Sequence, residues 1–201
     1  KQLSNVYYKK GLLNPVLVYR DSALTCERAF TVPLVIEQVI AKFLVTDSIG
    51  CEPFDGIFTD QSIGGNNWTW DFGDKNLSSA QNSDNTYLND GNYTAQLIAL
   101  NTQNGCKDTA TRIIVVQPSP QVIAFGDSTI CRGDSLQINA TGALTYRWLP
   151  ISYMSNRNIR NPKVGPLNTI TYIVLGTDSN KCQSKDSVLV RVQQIPKITL
   201  P

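Results

Sequence analysis

Histidine is missing altogether from these 201 residues. Its absence removes Ser-His-Asp and Cys-His catalysis, and every histidine-ligated metal site with them. Charge of one sign is also scarce. The net charge is +2 and no basic block exceeds two residues, which argues against nucleic acid and against an anionic membrane surface as partners. No apolar run approaches the ~18 residues of a membrane span, so no membrane insertion is expected. No signal peptide is recognisable, and the chain starts mid-pattern at Lys1-Gln2-Leu3, so it reads as a segment of something longer. Cys-x-x-Cys pairs are lacking too, which leaves metal ligation weakly supported. The expectation is no catalytic residue, no metal site and no cofactor.

Apolar residues make up 41% of the chain, enough for packed cores and one to three small domains. Internal repetition decides how they are arranged. Residues 5–38 align without a gap on residues 85–118, at an offset of 80. Tyr7 meets Tyr87, Gly11 meets Gly91, Leu17 meets Leu97, and Cys26 meets Cys106. Thr31 meets Thr111 and Val35 meets Val115. The same offset relates Asp47-Ser48-Ile49-Gly50-Cys51 to Asp127-Ser128-Thr129-Ile130-Cys131. Tyr146-Arg147-Trp148 echoes Trp68-Thr69-Trp70, and residues 177–192 resemble the region around Cys106. The chain therefore holds the tail of one unit, a whole second and a whole third.

Each unit reads as short strands. Alternating, β-branched stretches at 93–100, 111–116, 136–140, 170–175 and 188–192 are separated by Gly, Asn, Asp and Ser clusters. No segment carries a convincing helical stripe. This pattern predicts an all-β fold of tandem β-sandwiches. The junctions at 37–42 and 117–121 are short, and Pro118 and Pro120 stiffen the second, which predicts a rod.

Asp71-Phe72-Gly73 matches the metal-holding triplet of protein kinases, but the chain has no His-Arg-Asp loop and no Gly-rich loop. Strand geometry explains the region better. Residues i and i+2 share a face, so Trp68 and Trp70 point the same way, and Tyr146 and Trp148 repeat the arrangement. Gly73 then supplies a positive φ for a turn, and the carboxylates of Asp71 and Asp74 accept its backbone N–H groups. A calcium site at Asp71 and Asp74 is the weaker alternative, since no D-x-D-x-D array surrounds them.

With Trp70-Asp71-Phe72-Gly73-Asp74, Tyr87 and Gly91-Asn92-Tyr93 in place, residues 43–117 resemble a PKD (polycystic kidney disease) domain, an immunoglobulin-like sandwich. Lys75 stands where the family usually has Gly. Residues 121–195, with 130–148 and 169–182 as signature, resemble a second Ig-like type found beside PKD repeats. The expected division is 1–41, the C-terminal half of a PKD-like copy; 42–118, a PKD domain; and 119–201, an Ig-like domain with the start of the next linker. In the first copy Leu13 replaces the strand Tyr. The pairing of domains resembles the repeat arrays of large type 9-secreted surface adhesins of gliding Bacteroidota. That resemblance implies a cell-surface location, with neighbouring repeats, surface polysaccharide or other surface and secretion proteins as partners.

Five cysteines are an odd number, yet they divide by repeat. One bridge per unit pairs Cys51 with Cys106 and Cys131 with Cys182, and leaves the partner of Cys26 outside the segment. Each bridge would close a loop of roughly 50 residues, worth roughly 4 kcal/mol in the chain-entropy model. A bridge between neighbouring units, Cys51 to Cys182, is the alternative. Either implies an oxidising, extracellular setting.

Other motifs have plainer readings beside the functional ones. Arg132-Gly133-Asp134 is an integrin tripeptide, but a turn is needed there before a strand. Trp68 could stack sugars, but core packing beside Trp70 fits the pattern better. The four Asn sequons, at Asn67, Asn76, Asn92 and Asn139, would be mostly idle in a bacterial protein. Six Asp-Ser/Thr triplets place candidate O-glycosylation at Ser22, Ser48, Thr109, Ser128, Ser135 and Ser187. Asp-Ser pairs also simply make turns and strand starts. Two functions follow: a non-catalytic stalk or filament of a secreted adhesin, or an accessory spacer or polysaccharide-binding module of a secreted hydrolase.

Overall fold

A computed structural model describes residues 11–20 and 27–193. Among the described residues every regular element is a strand. The first group is β1 (Gly11–Leu13), β2 (Val16–Arg20), β3 (Glu27–Thr31) and β4 (Leu34–Ile36). The second is β5 (Phe43–Val45), β6 (Ile49–Cys51), β7 (Phe54–Asp60), β8 (Asn67–Asp71), β9 (Leu77–Ser78), β10 (Ser83–Tyr87), β11 (Gly91–Leu100) and β12 (Lys107–Gln117). The third is β13 (Ile123–Phe125), β14 (Ser128–Cys131), β15 (Leu136–Gln137), β16 (Asn139–Thr141), β17 (Thr145–Leu149), β18 (Lys163–Val164), β19 (Ile170–Thr177) and β20 (Gln183–Gln193).

In the second group the strand orders are β10-β7-β5 and β6-β12-β11-β8-β9. In the third they are β14-β20-β19-β17, with the short pairs β13-β16 and β15-β18. Two facing sheets with short connections are the β-sandwich that the alternating pattern predicts. Packing divides the chain into two units. One comprises Lys1–Ser48, Asp55–Asn85 and Tyr93–Ile114; the other comprises Ile49–Phe54, Thr86–Asn92 and Val115–Pro201.

In the first unit, β8 runs antiparallel to β11 with Trp70 opposite Leu97. Alternation buries Ala95, Leu97 and Ala99 on one face of β11. Phe43, Phe58, Trp70 and Phe72 supply the aromatic filling, with Phe43 edge-on to Trp70 at 5.1 Å between ring centroids. Phe58 lies 5.0 Å from Phe72. Such pairs add about 0.5–1.5 kcal/mol each beyond their buried area.

The N-terminal strands, which align in sequence with β11 and β12, pair in a single register that is not continuous. Gly11 pairs with Ile36 and Leu13 with Leu34, while Val16 pairs with Thr31 and Arg20 with Glu27. These are one register, interrupted between the two sheets by Asn14-Pro15 on one strand and Val32-Pro33 on the other. Proline has no N–H to give the ladder. Leu17, aligned with the fully buried Leu97, is 54% exposed.

In the second unit, β19 pairs with both β17 and β20. The core is Ile138, Ala140, Trp148, Val164, Tyr172, Val174, Val188 and Val190. The short strand β6 lies parallel to β12, with Cys51 opposite Gln117. In the same way β14 lies parallel to β20, with Cys131 opposite Gln193.

These parallel pairings overturn the expected disulfides. Cys131 flanks the far end of β20, while Cys182 immediately precedes its first residue. The 11 residues of β20 span roughly 35 Å, and a disulfide needs Cα atoms within about 7 Å. Cys51 and Cys106 sit likewise at opposite ends of the 11-residue β12. Neither Cys51–Cys106 nor Cys131–Cys182 forms. The bridge present is Cys51–Cys182, with Cα atoms 5.5 Å apart, inside the second unit. Cys106 and Cys131 are free thiols. Cys26 lies outside the described residues.

Candidate functional site

The Trp-Asp-Phe-Gly-Asp segment leaves β8 and turns at once. Trp70 is fully buried, and its Nε1 donates to the Ala80 carbonyl at 2.8 Å. Phe72 folds back into the core, with its N–H donating to the Asn76 carbonyl at 3.2 Å. Asp71 Oδ1 accepts the Gly73 N–H at 2.9 Å. Asp74 Oδ1 accepts the Asn76 N–H at 3.0 Å, and its Oδ2 accepts Nδ2 of Asn76 at 3.0 Å and of Asn85 at 2.8 Å. Asn85 is buried, and it is compensated by its bond to Asp74 and by Asn76 Nδ2, which donates to its Oδ1 at 3.0 Å. Asp71 and Asp74 are therefore occupied as turn acceptors. Among the described residues no cluster of three His, Cys, Asp or Glu could hold a metal ion.

Gly73 has φ of +82°, and a Cβ there would stand 2.8 Å from the Thr94 backbone N and O. Both the conformation and the space demand glycine. Gly73→Ala is expected to cost about 2 kcal/mol or more, read as a lowered urea midpoint. An unchanged midpoint would contradict this account of the turn. Lys75, which stands where the resembled family usually has Gly, takes φ of +79° and keeps the left-handed step.

Trp68 is half-buried, and its Nε1 donates to Asp60 Oδ2 at 2.8 Å. Asp60 Oδ1 also accepts the Ser62 N–H at 2.9 Å, and its Oδ2 accepts Gln81 Nε2 at 3.2 Å. Burial acts to raise the Asp60 carboxyl, but the bonds from Ser62, Gln81 and Trp68 outweigh it and hold it below the ordinary aspartate value. A lowered folded-state pKa stabilises above the unfolded value, and that stability is lost as pH falls through the folded one. The stability gap between the native chain and Asp60→Asn should be present at neutral pH and close below about pH 4. Urea midpoints across pH 3–7 read it directly; a gap that widens towards acid would refute it.

The third repeat rebuilds this architecture. Trp148 is fully buried, and its Nε1 donates to the Ile159 carbonyl at 3.0 Å. Tyr146 is half-buried, donates its hydroxyl proton to the Ala143 carbonyl at 2.9 Å, and accepts the Ala143 N–H at 3.1 Å. Tyr172 OH donates to the Ser152 carbonyl at 3.0 Å. Burial, and then neighbouring Tyr153, push the Tyr172 phenol upward. Tyr87 is fully buried and stacks on Phe54 at 6.3 Å. Gly91 opens β11, and Tyr93 lies half-buried on it.

The Asp-Ser/Thr triplets divide by location. Thr109, Ser135 and Ser187 are exposed, Ser48 and Ser128 are half-buried, and Ser22 lies outside the described residues. Two of the aspartates have structural work. Asp108 Oδ2 accepts the Ala41 N–H at 2.9 Å, and Asp186 Oδ2 accepts the Ala124 N–H at 2.7 Å. Each ties the last long strand of its repeat to the segment where that repeat begins. Arg132-Gly133-Asp134 forms an exposed turn closed by the Asp134 N–H to the Cys131 carbonyl at 3.0 Å.

Sequence reasoning missed Asp60, Asn85 and Glu52. Glu52 accepts the Asp90 N–H at 2.8 Å and the Ser119 N–H at 3.0 Å through its two carboxylate oxygens, and its carbonyl accepts the Ser119 hydroxyl at 2.8 Å. Isolated polar residues far apart in sequence carry no periodic signal. The Asp108 and Asp186 anchors were visible, because the Asp-Ser/Thr triplets recur.

No curated protein matches this chain. Among solved structures, the PKD1 domain of Vibrio anguillarum Epp is 23% identical and covers 41% of this chain and 96% of its own, with a TM-score of 0.36. The PKD1 domain of the Vibrio cholerae metalloprotease PrtV is 24% identical and covers 40% and 98%, with a TM-score of 0.35. The fibronectin(III)-like modules of Clostridium thermocellum CbhA are 16% identical and cover 78% and 95%, with a TM-score of 0.35. Residues 41–116 of this chain match the PKD domain family.

Proposed function

We propose that the chain is a non-catalytic repeat segment of a large secreted cell-surface protein, and that it serves as part of an adhesin stalk or filament for gliding or adhesion. The carrying observation is that consecutive sequence repeats rebuild one scaffold: a buried strand Trp bonded to a carbonyl, and a parallel edge strand ending in Cys. Repetition of scaffold, with its polar groups spent on turns and anchors, suits a spacer better than a reaction centre. A disulfide and the PKD match at 41–116 favour an oxidising, extracellular location. Among the described residues no helix is long and apolar enough to cross a membrane.

Neighbouring repeats are the first partners in this reading, with surface polysaccharide or other surface and secretion proteins as ligands of the whole array. Trp68 is half-buried, so only part of its ring is open to a sugar. Shortening the array by one such segment in the source organism should reduce surface attachment or gliding while secretion of any hydrolase activity is unchanged. If attachment is intact and polysaccharide degradation falls, the accessory-module reading replaces this one.

Exposed Thr109, Ser135 and Ser187 are the favoured glycan positions within this proposal, since a glycosyl donor must reach the hydroxyl. Intact-mass analysis of native protein should show hexose-bearing species that map to them. Unmodified mass, or sugars on Asn alone, would end that part of the reading.

A further inference from the structure

The Cys51–Cys182 bridge has two ends, and each end is built a second time in the chain. The first end is an Asp-Ser-x-x-Cys segment forming a parallel edge strand. Cys51 lies opposite Gln117, and the following Glu52 N–H donates to the Gln117 carbonyl at 3.0 Å. Cys131 lies opposite Gln193, and the following Arg132 N–H donates to the Gln193 carbonyl at 3.0 Å. Strand, register and hydrogen bond coincide, yet Cys51 is bonded and Cys131 is an exposed free thiol.

The second end is an Asx turn before the last long strand. At Cys182, the Asp178 N–H donates to the Cys182 carbonyl at 3.0 Å, and Asp178 Oδ1 accepts the Asn180 N–H at 2.8 Å. At Cys106, the Asn101 N–H donates to the Cys106 carbonyl at 2.8 Å, and Asn101 Oδ1 accepts the Gln103 N–H at 3.0 Å. The turn's surroundings repeat as well. Asn180 Nδ2 donates to the Gln117 side chain at 3.2 Å, the residue opposite Cys51. Asn104 Nδ2 donates to the Glu37 side chain at 2.7 Å, and Glu37 stands 80 residues before Gln117. Cys106 Sγ itself lies 3.8 Å from the Glu37 carbonyl. It is thus held against Glu37, the counterpart of the strand residue Gln117 beside which, in the bonded copy, the partner cysteine runs.

We propose that Cys106 and Cys131 are the two open halves of the same bridge, repeated along the array. Cys106 pairs with the Asp-Ser-x-x-Cys cysteine of the preceding repeat. Cys131 pairs with the Asx-turn cysteine of the following one. Every repeat is then covalently tied to both neighbours, and none is bridged within itself. This rests on the repeat-array reading above and deepens it. Each bond forms by thiol–disulfide exchange: two thiols lose two protons and two electrons, one S–S bond forms, and the disulfide of a thiol oxidoreductase is reduced to two thiols.

The test is peptide mapping of the native protein from its source, alkylated under denaturing conditions without reduction. The Cys131 peptide should be found linked to a later Asx-turn cysteine, and the Cys106 peptide to an earlier Asp-Ser-x-x-Cys cysteine. Alkylated Cys106 or Cys131, a bond between the two, or a bond from either to Cys26 overturns the proposal. The same map separates the two readings. Linked neighbours within a short chain that carries a catalytic domain would sink the stalk and keep the bridges. Many repeats with free thiols would do the reverse.

Discussion

Trp148→Ala is expected to destabilise the second unit by about 3–5 kcal/mol, the usual cost of truncating a fully buried Trp. Its indole is 0% exposed and is packed among Ile138, Val164, Tyr172 and Val188 in the core. Two losses combine. The cavity removes dispersion contacts on every side, and the Ile159 carbonyl loses its indole donor. Trp148→Phe keeps an aromatic ring and loses the bond, so it should fall between native and alanine. Urea unfolding followed by tyrosine fluorescence measures both. An alanine variant within about 1 kcal/mol of native would mean that Trp148 is not the core anchor.

Removal of the Cys51–Cys182 bridge should be comparably large. The bonded residues are 131 apart in sequence, and closing a loop of that size is worth about 5 kcal/mol in the chain-entropy model. Cys182 is also fully buried, so Cys182→Ser adds a buried hydroxyl that needs a partner. Cys51→Ser is the cleaner variant, since Cys51 is half-buried. Its melting temperature without reductant should match that of the native chain with reductant, and both should lie well below that of the oxidised chain. Coincident melting of oxidised and reduced native chain would contradict the prediction.

What the sequence made legible, and what it hid, follows from range. Local periodicity exposed the all-β fold, because period-2 alternation is written within each strand. The shared face of Trp68 and Trp70 and the glycine step at Gly73 were legible for the same reason. Disulfide pairing was legible only as two options: the expected bridge per unit does not form, and the alternative Cys51–Cys182 is the bridge present. Five cysteines look alike in sequence, and the deciding fact is that β6 runs parallel to β12. That pairing sends Cys51 to the end of the strand remote from Cys106, and no composition or spacing encodes it. Asp60 was hidden similarly, since its donors Ser62, Trp68 and Gln81 meet only in three dimensions. The Asp-Ser/Thr triplets were seen and read as glycan sites or as turns and strand starts, while Asp108 and Asp186 also anchor backbone N–H groups. The interrupted hairpin was legible in principle, because Pro15 and Pro33 stand in strand pattern where a ladder needs donors.

The central proposal is that this segment serves in a stalk that carries tension, tied by a bridge that spans sequence repeats. Single-molecule stretching between the chain ends tests it most directly. Oxidised chain should show resolved unfolding events and a final length that excludes the 131-residue bridged loop. Reductant should then lengthen it by on the order of 450 Å, at 3.3–3.6 Å per residue. An identical final length with and without reductant, or extension without any resolved unfolding event, would contradict the account.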